Sequence, residues 1–209
     1  MPYIQPGSGN YFGFQPVDNA SGRPGQVNFY GVSSSEAGAI LPGDVVAFTT
    51  VGPLGVRVIT GTYTGMILGV SAGTLAANAG STAATLTLNS SQLIPIYDSP
   101  TQIYVVNDTT SFLMSSTALG KSVAVLATGT ASAQSTVAGR SIMAIAANTA
   151  SSAGGPFKII GIHPIEGIWP SGLSSQAALT GVSSDVRKWL VQPSNHVFGA
   201  LDNRGVVTT

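Results

Sequence analysis

The sequence predicts an all-β protein: an antiparallel β-barrel or sandwich core, divided into two small barrel-like subdomains and preceded by an extended N-terminal arm. Three observations carry that expectation. Short runs of β-branched and aromatic residues recur along the chain. Between them lie turns, supplied by 26 glycines and 12 prolines in 209 residues. No crossover helix is visible between the runs, which makes antiparallel pairing the default.

Residues 1–36 read as the arm. Pro2, Pro6, Pro16 and Pro24 interrupt any regular element, with Gly7, Gly9, Gly13, Gly22 and Gly25 among them. Tyr3, Tyr11, Phe12, Phe14, Phe29 and Tyr30 recur along it. Aromatic rings of this kind suit an interface that is part dry and part wet, so these six are expected to touch a partner. The alternative is that they pack back on their own domain.

Residues 37–96 read as a first small β-barrel-like subdomain. The Pro42-Gly43-Asp44 turn opens it, and strands follow at Val45–Phe48, Val56–Thr60, Met66–Val70, Ala83–Leu88 and Gln92–Tyr97. The Ala/Ser/Thr/Gly-rich stretch 71–90 reads as an excursion, with room for a short helix over Thr74–Asn78. Residues 97–200 repeat the logic as the main β-barrel domain. Strands are expected at Gln102–Asn107, Ser122–Ala127, Ser141–Ala146, Phe157–Ile162 and Arg187–Gln192, and residues 201–209 form a C-terminal tail. Both faces of the run Ile103–Val106 are apolar or aromatic. It is therefore expected as a central strand, with one face in the core and the other beneath a loop, the arm or a neighbour.

Composition narrows the function. Charged residues make up 8 % of the chain, against about 25 % in ordinary soluble domains. Eight basic and eight acidic residues cancel to a formal charge of zero. A surface built from Ser, Thr, Gly, Asn, Gln and Ala does little to repel copies of itself, which suits life inside an assembly; a secreted Ser/Thr-rich domain has the same composition. The chain shows no basic patch for nucleic acid. It has no cysteine for disulfides, thiol chemistry or Cys-ligated metal. The start MPYIQPGSGNYF lacks the basic and apolar regions of a signal peptide. No run of about 18 apolar residues is present to cross a membrane as a helix.

The search for chemistry yields little. His163 and His196 are the two imidazoles, and neither sits in a Gly-x-Ser-x-Gly elbow. Both read as hydrogen-bonded structural or surface residues. The acids Asp18, Glu36, Asp44, Asp98, Asp108, Glu166, Asp185 and Asp202 are scattered, and Asp44, Asp98 and Asp108 lie in turn sequences where Asp bonds its own backbone. There is no dense Asp-x-Asp run for calcium and no phosphate-cradling glycine loop. The sequence therefore predicts no enzyme, no cofactor and no metal. Arg140, just before a strand, reads as an intrasubunit ion-pair partner, with a reach to a neighbour as the alternative. Trp189 reads as packing, whereas Trp169, in the loop Gly167-Ile-Trp-Pro-Ser, reads as an anchor on a partner.

An ordered set of short motifs resembles the head decoration or cement proteins of tailed bacteriophages. The set comprises Tyr97-Asp-Ser-Pro-Thr-Gln-Ile-Tyr-Val-Val106, Leu119-Gly-Lys-Ser122, Gly139-Arg-Ser141, Phe157-Lys-Ile-Ile-Gly-Ile162 and Lys188-Trp-Leu-Val191 with Asn195-His196. Upstream, Pro42-Gly-Asp-Val-Val46, Ile67-Leu-Gly-Val70, Gly13-Phe-Gln-Pro-Val17 and Gly22-Arg-Pro24 extend the pattern. Thr101-Gln102 replaces the acidic strand partner usual in that family, and the acid after Met143 is missing. The resemblance implies an all-β virion protein on the outer surface of the phage head. It would bridge major capsid protein subunits and associate with other copies of itself, with a trimer implied. Two rivals remain. One is a tail-associated or glycan-binding β-domain, stacking sugars on Trp169 with Tyr97 or Tyr104. The other is a hydrolase using His163 or His196 beside an acid.

Overall fold

The computed structural model describes residues 13–19, 25–33, 36, 39–49, 55–75, 93–107, 118–127, 141, 143–151, 154–162 and 188–199. Among these residues the chain is all-β, with two antiparallel sheets and no α-helix. The strands are β1 (Gln15–Asn19), β2 (Val27–Gly31), β3 (Val45–Phe48), β4 (Val56–Val58), β5 (Gly61–Tyr63), β6 (Gly69–Ser71), β7 (Leu93–Tyr97), β8 (Gln102–Asn107), β9 (Ser122–Ala127), β10 (Ala144–Ser151), β11 (Phe157–Ile162) and β12 (Lys188–Pro193).

The larger sheet runs β1-β8-β12-β11-β9-β10, with β5 also paired to β9; the smaller runs β2-β7-β6-β3-β4. The sheets pack as a sandwich. Their shared interior holds Val45, Ala47 and Val70 from the smaller sheet. From the larger it holds Tyr104, Val106, Val123, Val125, Phe157, Ile159, Trp189 and Val191. Alternation explains the choice of face. In β8, Gln102, Tyr104 and Val106 point inward, and in β12 Trp189 and Val191 lie opposite Val106 and Tyr104 in the same layer. Phe14 stacks on Phe157 at 4.6 Å, and Tyr104 meets both rings edge-on at 6.3 and 5.9 Å. This three-ring packing ties the start of β1 to β8 and β11.

The Pro42-Gly43 turn is the keystone between the sheets. Proline presets the second turn position, and Gly43, at φ 91°, takes the left-handed third position that a side chain would disfavour. The Asp44 N–H closes the turn on the Leu41 carbonyl, and Asp44 Oδ2 accepts from the Leu41 N–H at 2.8 Å. Both ends of the larger sheet reach this one turn. Phe14 N–H donates to the Gly43 carbonyl at 3.0 Å, Ser141 N–H donates to the Pro42 carbonyl at 3.1 Å, and Val45 N–H points at Met143 Sδ. Gly13 makes that approach possible. Its φ is 66°, and a Cβ there would lie 2.5 Å from Ser141 Cβ and 2.7 Å from the Gly43 carbonyl oxygen.

The smaller sheet has a second core on its other face, made of Val32, Ile40, Val46, Val56, Leu68, Ile94 and Ile96. The sheet curls round it. Val32 bridges Val56, and Ser33 N–H donates to the Val56 carbonyl at 2.9 Å, which draws the two edge strands together at one point. One bridge is not a ladder, so among the described residues this is a curled sheet rather than a closed barrel.

Several expectations change. The arm expected over 1–36 does not stay outside: from Gly13 onward it supplies β1 to the larger sheet and β2 to the smaller. Pro16 is tolerated because, among the described residues, β1 is an edge strand that pairs only with β8. The run Val56–Thr60 ends early, and β5 follows it into the other sheet. Leu75, expected in a short helix, forms an antiparallel bridge with Ile40. The Ala83–Leu88 strand and the 201–209 tail lie outside the described residues.

Candidate functional site

The clearest exposed apolar surface lies at the β2 edge of the smaller sheet. β2 pairs with β7 so that Phe29 faces Pro95 and Gly31 faces Leu93. Phe29, Pro95 and Leu93 therefore share one face, the face on which Val70 and Tyr97 turn toward the larger sheet. Toward Leu93 that face runs out beyond the shared interior. Phe29 is 65 % exposed and Leu93 60 % exposed. Neither β2 nor β7 carries a charged residue. Edge strands are commonly guarded by charge, and this one is not.

The opposite face of the same strand pair is anchored. Asn28 and Tyr30 lie across from Ile96 and Ile94. Asp98, buried at the end of β7, accepts from Asn28 Nδ2 at 2.8 Å and also from the Tyr30 hydroxyl. Burial, together with the donation to Asp98 and its charge, pushes the Tyr30 phenol well above its ordinary range. Tyr30 also meets Phe48 edge-on at 6.0 Å. The sequence suggested that Asp98 would bond its own backbone; instead its carboxylate ties β2 to the β7–β8 turn. Phe29 is thus presented outward by a strand whose neighbouring side chains are fixed.

A second apolar surface lies on the outer face of the larger sheet. Val105 is opposite Gln15 and Leu190, and Leu190 is opposite Gly161. Val17 and Ile160 on flanking strands are each 40 % exposed, while Val105 is buried and Ile103 half-buried. A register shift between Ile159 and Gly161 places Ile160 at an irregularity of β11.

Two polar side chains of the interior, His196 and Tyr104, are held by main-chain hydrogen bonds. His196 is 3 % exposed, and its Nδ1 accepts from the Phe198 N–H at 3.1 Å. Burial holds its imidazole below the usual histidine range, with the Leu68 main chain and the Asp98 charge pulling the other way. Among the described residues no three His, Asp or Glu side chains cluster to hold a metal ion. Tyr104 is fully buried, and desolvation raises its phenol well above 10; its hydroxyl donates to the Tyr97 carbonyl at 3.0 Å. Tyr104 has no face to offer a sugar.

Of the residues that the sequence singled out for partner contact, the structure separates three. Phe14 is a correction: it is 1 % exposed and belongs to the shared core. Tyr30 is half-buried and engaged with Asp98. Phe29 is open. Tyr3, Tyr11, Phe12 and Trp169 lie outside the described residues, as do His163, Asp108 and Arg140. Leu93 and Pro95 were missed. Their alternation with Ile94 and Ile96 was legible, but the register with β2 that sets them beside Phe29 spans a long stretch of chain. No family model matches the chain, and neither a curated protein nor a solved structure is significantly similar to it.

Proposed function

We propose that this chain is a non-enzymatic structural protein of a virion, a decoration or cement subunit. On this reading it sits on the outside of a tailed-phage head, bridges major capsid protein subunits and associates with further copies of itself. The observation that carries the reading is the unguarded β2 edge, with Phe29, Pro95 and Leu93 on one outward face. Such a surface gains affinity by burying apolar area, worth roughly 25 cal/mol per Å² before association costs are subtracted. With 8 % charged residues and zero formal charge, attachment would depend little on salt. The motif order points to the same class of protein. Val17 and Ile160, open on the outer face of the larger sheet, offer a second contact, as a bridging subunit requires.

The test is to purify particles of the virus that encodes the chain and locate it in a map of the intact head. Density for the two sheets over the joint between capsid subunits is the expected result. In a binding assay on heads stripped of the protein, the double variant Phe29→Ser, Leu93→Ser is expected to lose attachment while keeping its fold. Absence of the chain from purified heads, or undiminished attachment of the folded variant, overturns the proposal.

A further inference from the structure

The loop that follows β12 joins the two sheets, and the hydrogen bond that its imidazole accepts from Phe198 N–H is one that a proton would remove. Ser194 and Asn195 N–H groups both reach the Pro156 carbonyl, and Ser194 Oγ donates to the Gly155 carbonyl at 2.7 Å, fixing the loop to the start of β11. On its other side, Ile67 N–H donates to the Asn195 carbonyl and Val197 N–H to the Ile67 carbonyl, each at 3.0 Å. Ile67 lies just ahead of β6, so this short parallel bridge links the end of β12 in one sheet to the entry of the other. His196 sits inside it. Its Nδ1 accepts from Phe198 N–H, which makes the Nε2–H tautomer the neutral form, and Nε2 is buried without a hydrogen bond.

We propose that His196 is the pin of an acid-released latch between the sheets: a proton taken up at Nδ1 breaks the bond from Phe198 and frees residues 194–199 from the Ile67 segment. The surroundings offer the cation little. The Leu68 main chain favours the cation without outweighing burial, Ile67 adds main chain and aliphatic atoms, Gly155 and Pro156 bring no titratable group, and Phe198 brings a ring 5.7 Å away. Among the described residues Asp98, in the turn after β7, is the charged side chain whose field reaches the imidazole, and it does not outweigh burial. The sign follows. The neutral ring is favoured in the closed loop, so the latch is fully held above the free imidazole value of about 6.5 and weakens as pH falls below it.

The chain has two histidines, so a His163→Gln background leaves one imidazole to follow. By NMR that imidazole is expected to titrate below free histidine. Amide exchange, corrected for the intrinsic pH dependence, supplies the structural readout. Between pH 7.5 and 5, the protection of Ile67, Val197 and Phe198 is expected to fall severalfold. Protection of Val191 and Tyr104, paired within the larger sheet, is expected to hold. His196→Asn keeps an acceptor near the Nδ1 position and does not titrate, so its loop is expected to show no acid response. A normal or raised imidazole titration, unchanged protection of Ile67 and Val197 at pH 5, or an equal response in His196→Asn overturns the latch. Should that variant not fold, the exchange profile of the histidine-bearing protein decides alone.

Discussion

Phe14 and Phe29 come from the same proline- and glycine-punctuated stretch and end in opposite environments. Phe14 enters the larger sheet through Gly13, stacks on Phe157 and is closed off from solvent. Phe29 sits at the middle of β2, paired to Pro95, with its ring outward. Each ring is flanked by turn residues, so local composition does not separate them. What separates them is the layer that their strand joins. β1 lays its inward face on the shared core, whereas the Phe29 face of β2 overhangs it. Aromatic content identified both as anchors. Only the sheet order shows that one anchors the fold and the other is free to anchor something else.

Four substitutions test that contrast, from the largest effect to the smallest. Phe14→Ala removes a fully buried ring and is expected to cost about 3–5 kcal/mol in denaturant unfolding; a loss below about 1 kcal/mol would mean that the three-ring core is not as drawn. Gly13→Ala forces a side chain into a left-handed position against Ser141 and the Gly43 carbonyl, and a loss of about 2–3 kcal/mol is expected by the same measurement. Tyr30→Phe deletes the hydroxyl that serves Asp98 and leaves Asn28 as its remaining described side-chain donor; thermal denaturation is expected to show a loss of about 1–2 kcal/mol. Phe29→Ser is expected to leave stability within about 0.5 kcal/mol, while reducing self-association or attachment in sedimentation. A large stability loss there would move Phe29 from the interaction surface into the fold and erase the contrast.

Much of the fold was legible because its strands are short and self-contained. Val45–Phe48, Gln102–Asn107, Ser122–Ala127 and Phe157–Ile162 match their β-branched runs residue for residue. The Pro42-Gly43-Asp44 turn was equally plain, since proline and glycine each fill a position whose backbone angle they favour. What the sequence hid is pairing between distant segments. Gln15 opposite Val105 and Phe29 opposite Pro95 rest on registers that no local pattern encodes. Proline and glycine also masked β1 and β2, because both residues read as breakers while an edge strand accepts them. The interaction surface was half legible for the same reason: aromatic enrichment pointed to Phe29, but Leu93 and Pro95 join it only through the β2–β7 register. His196 reads from the sequence as a hydrogen-bonded structural or surface residue in a turn; its burial between the sheets is not legible there.

The meeting of Phe14, Gly43 and Ser141 at one turn also sets the order in which the protein can be made. β1 leaves the ribosome early, yet its partner strand, the Phe157 ring and the Ser141 contact all emerge much later. Until then β1 has no completed sheet to join, and the face of the smaller sheet that carries Val45, Ala47 and Val70 must wait for its cover. Refolding is accordingly expected to be slow and concerted, governed by distant closures rather than by local hairpins, and a nascent fragment cut before β11 would remain vulnerable to proteases.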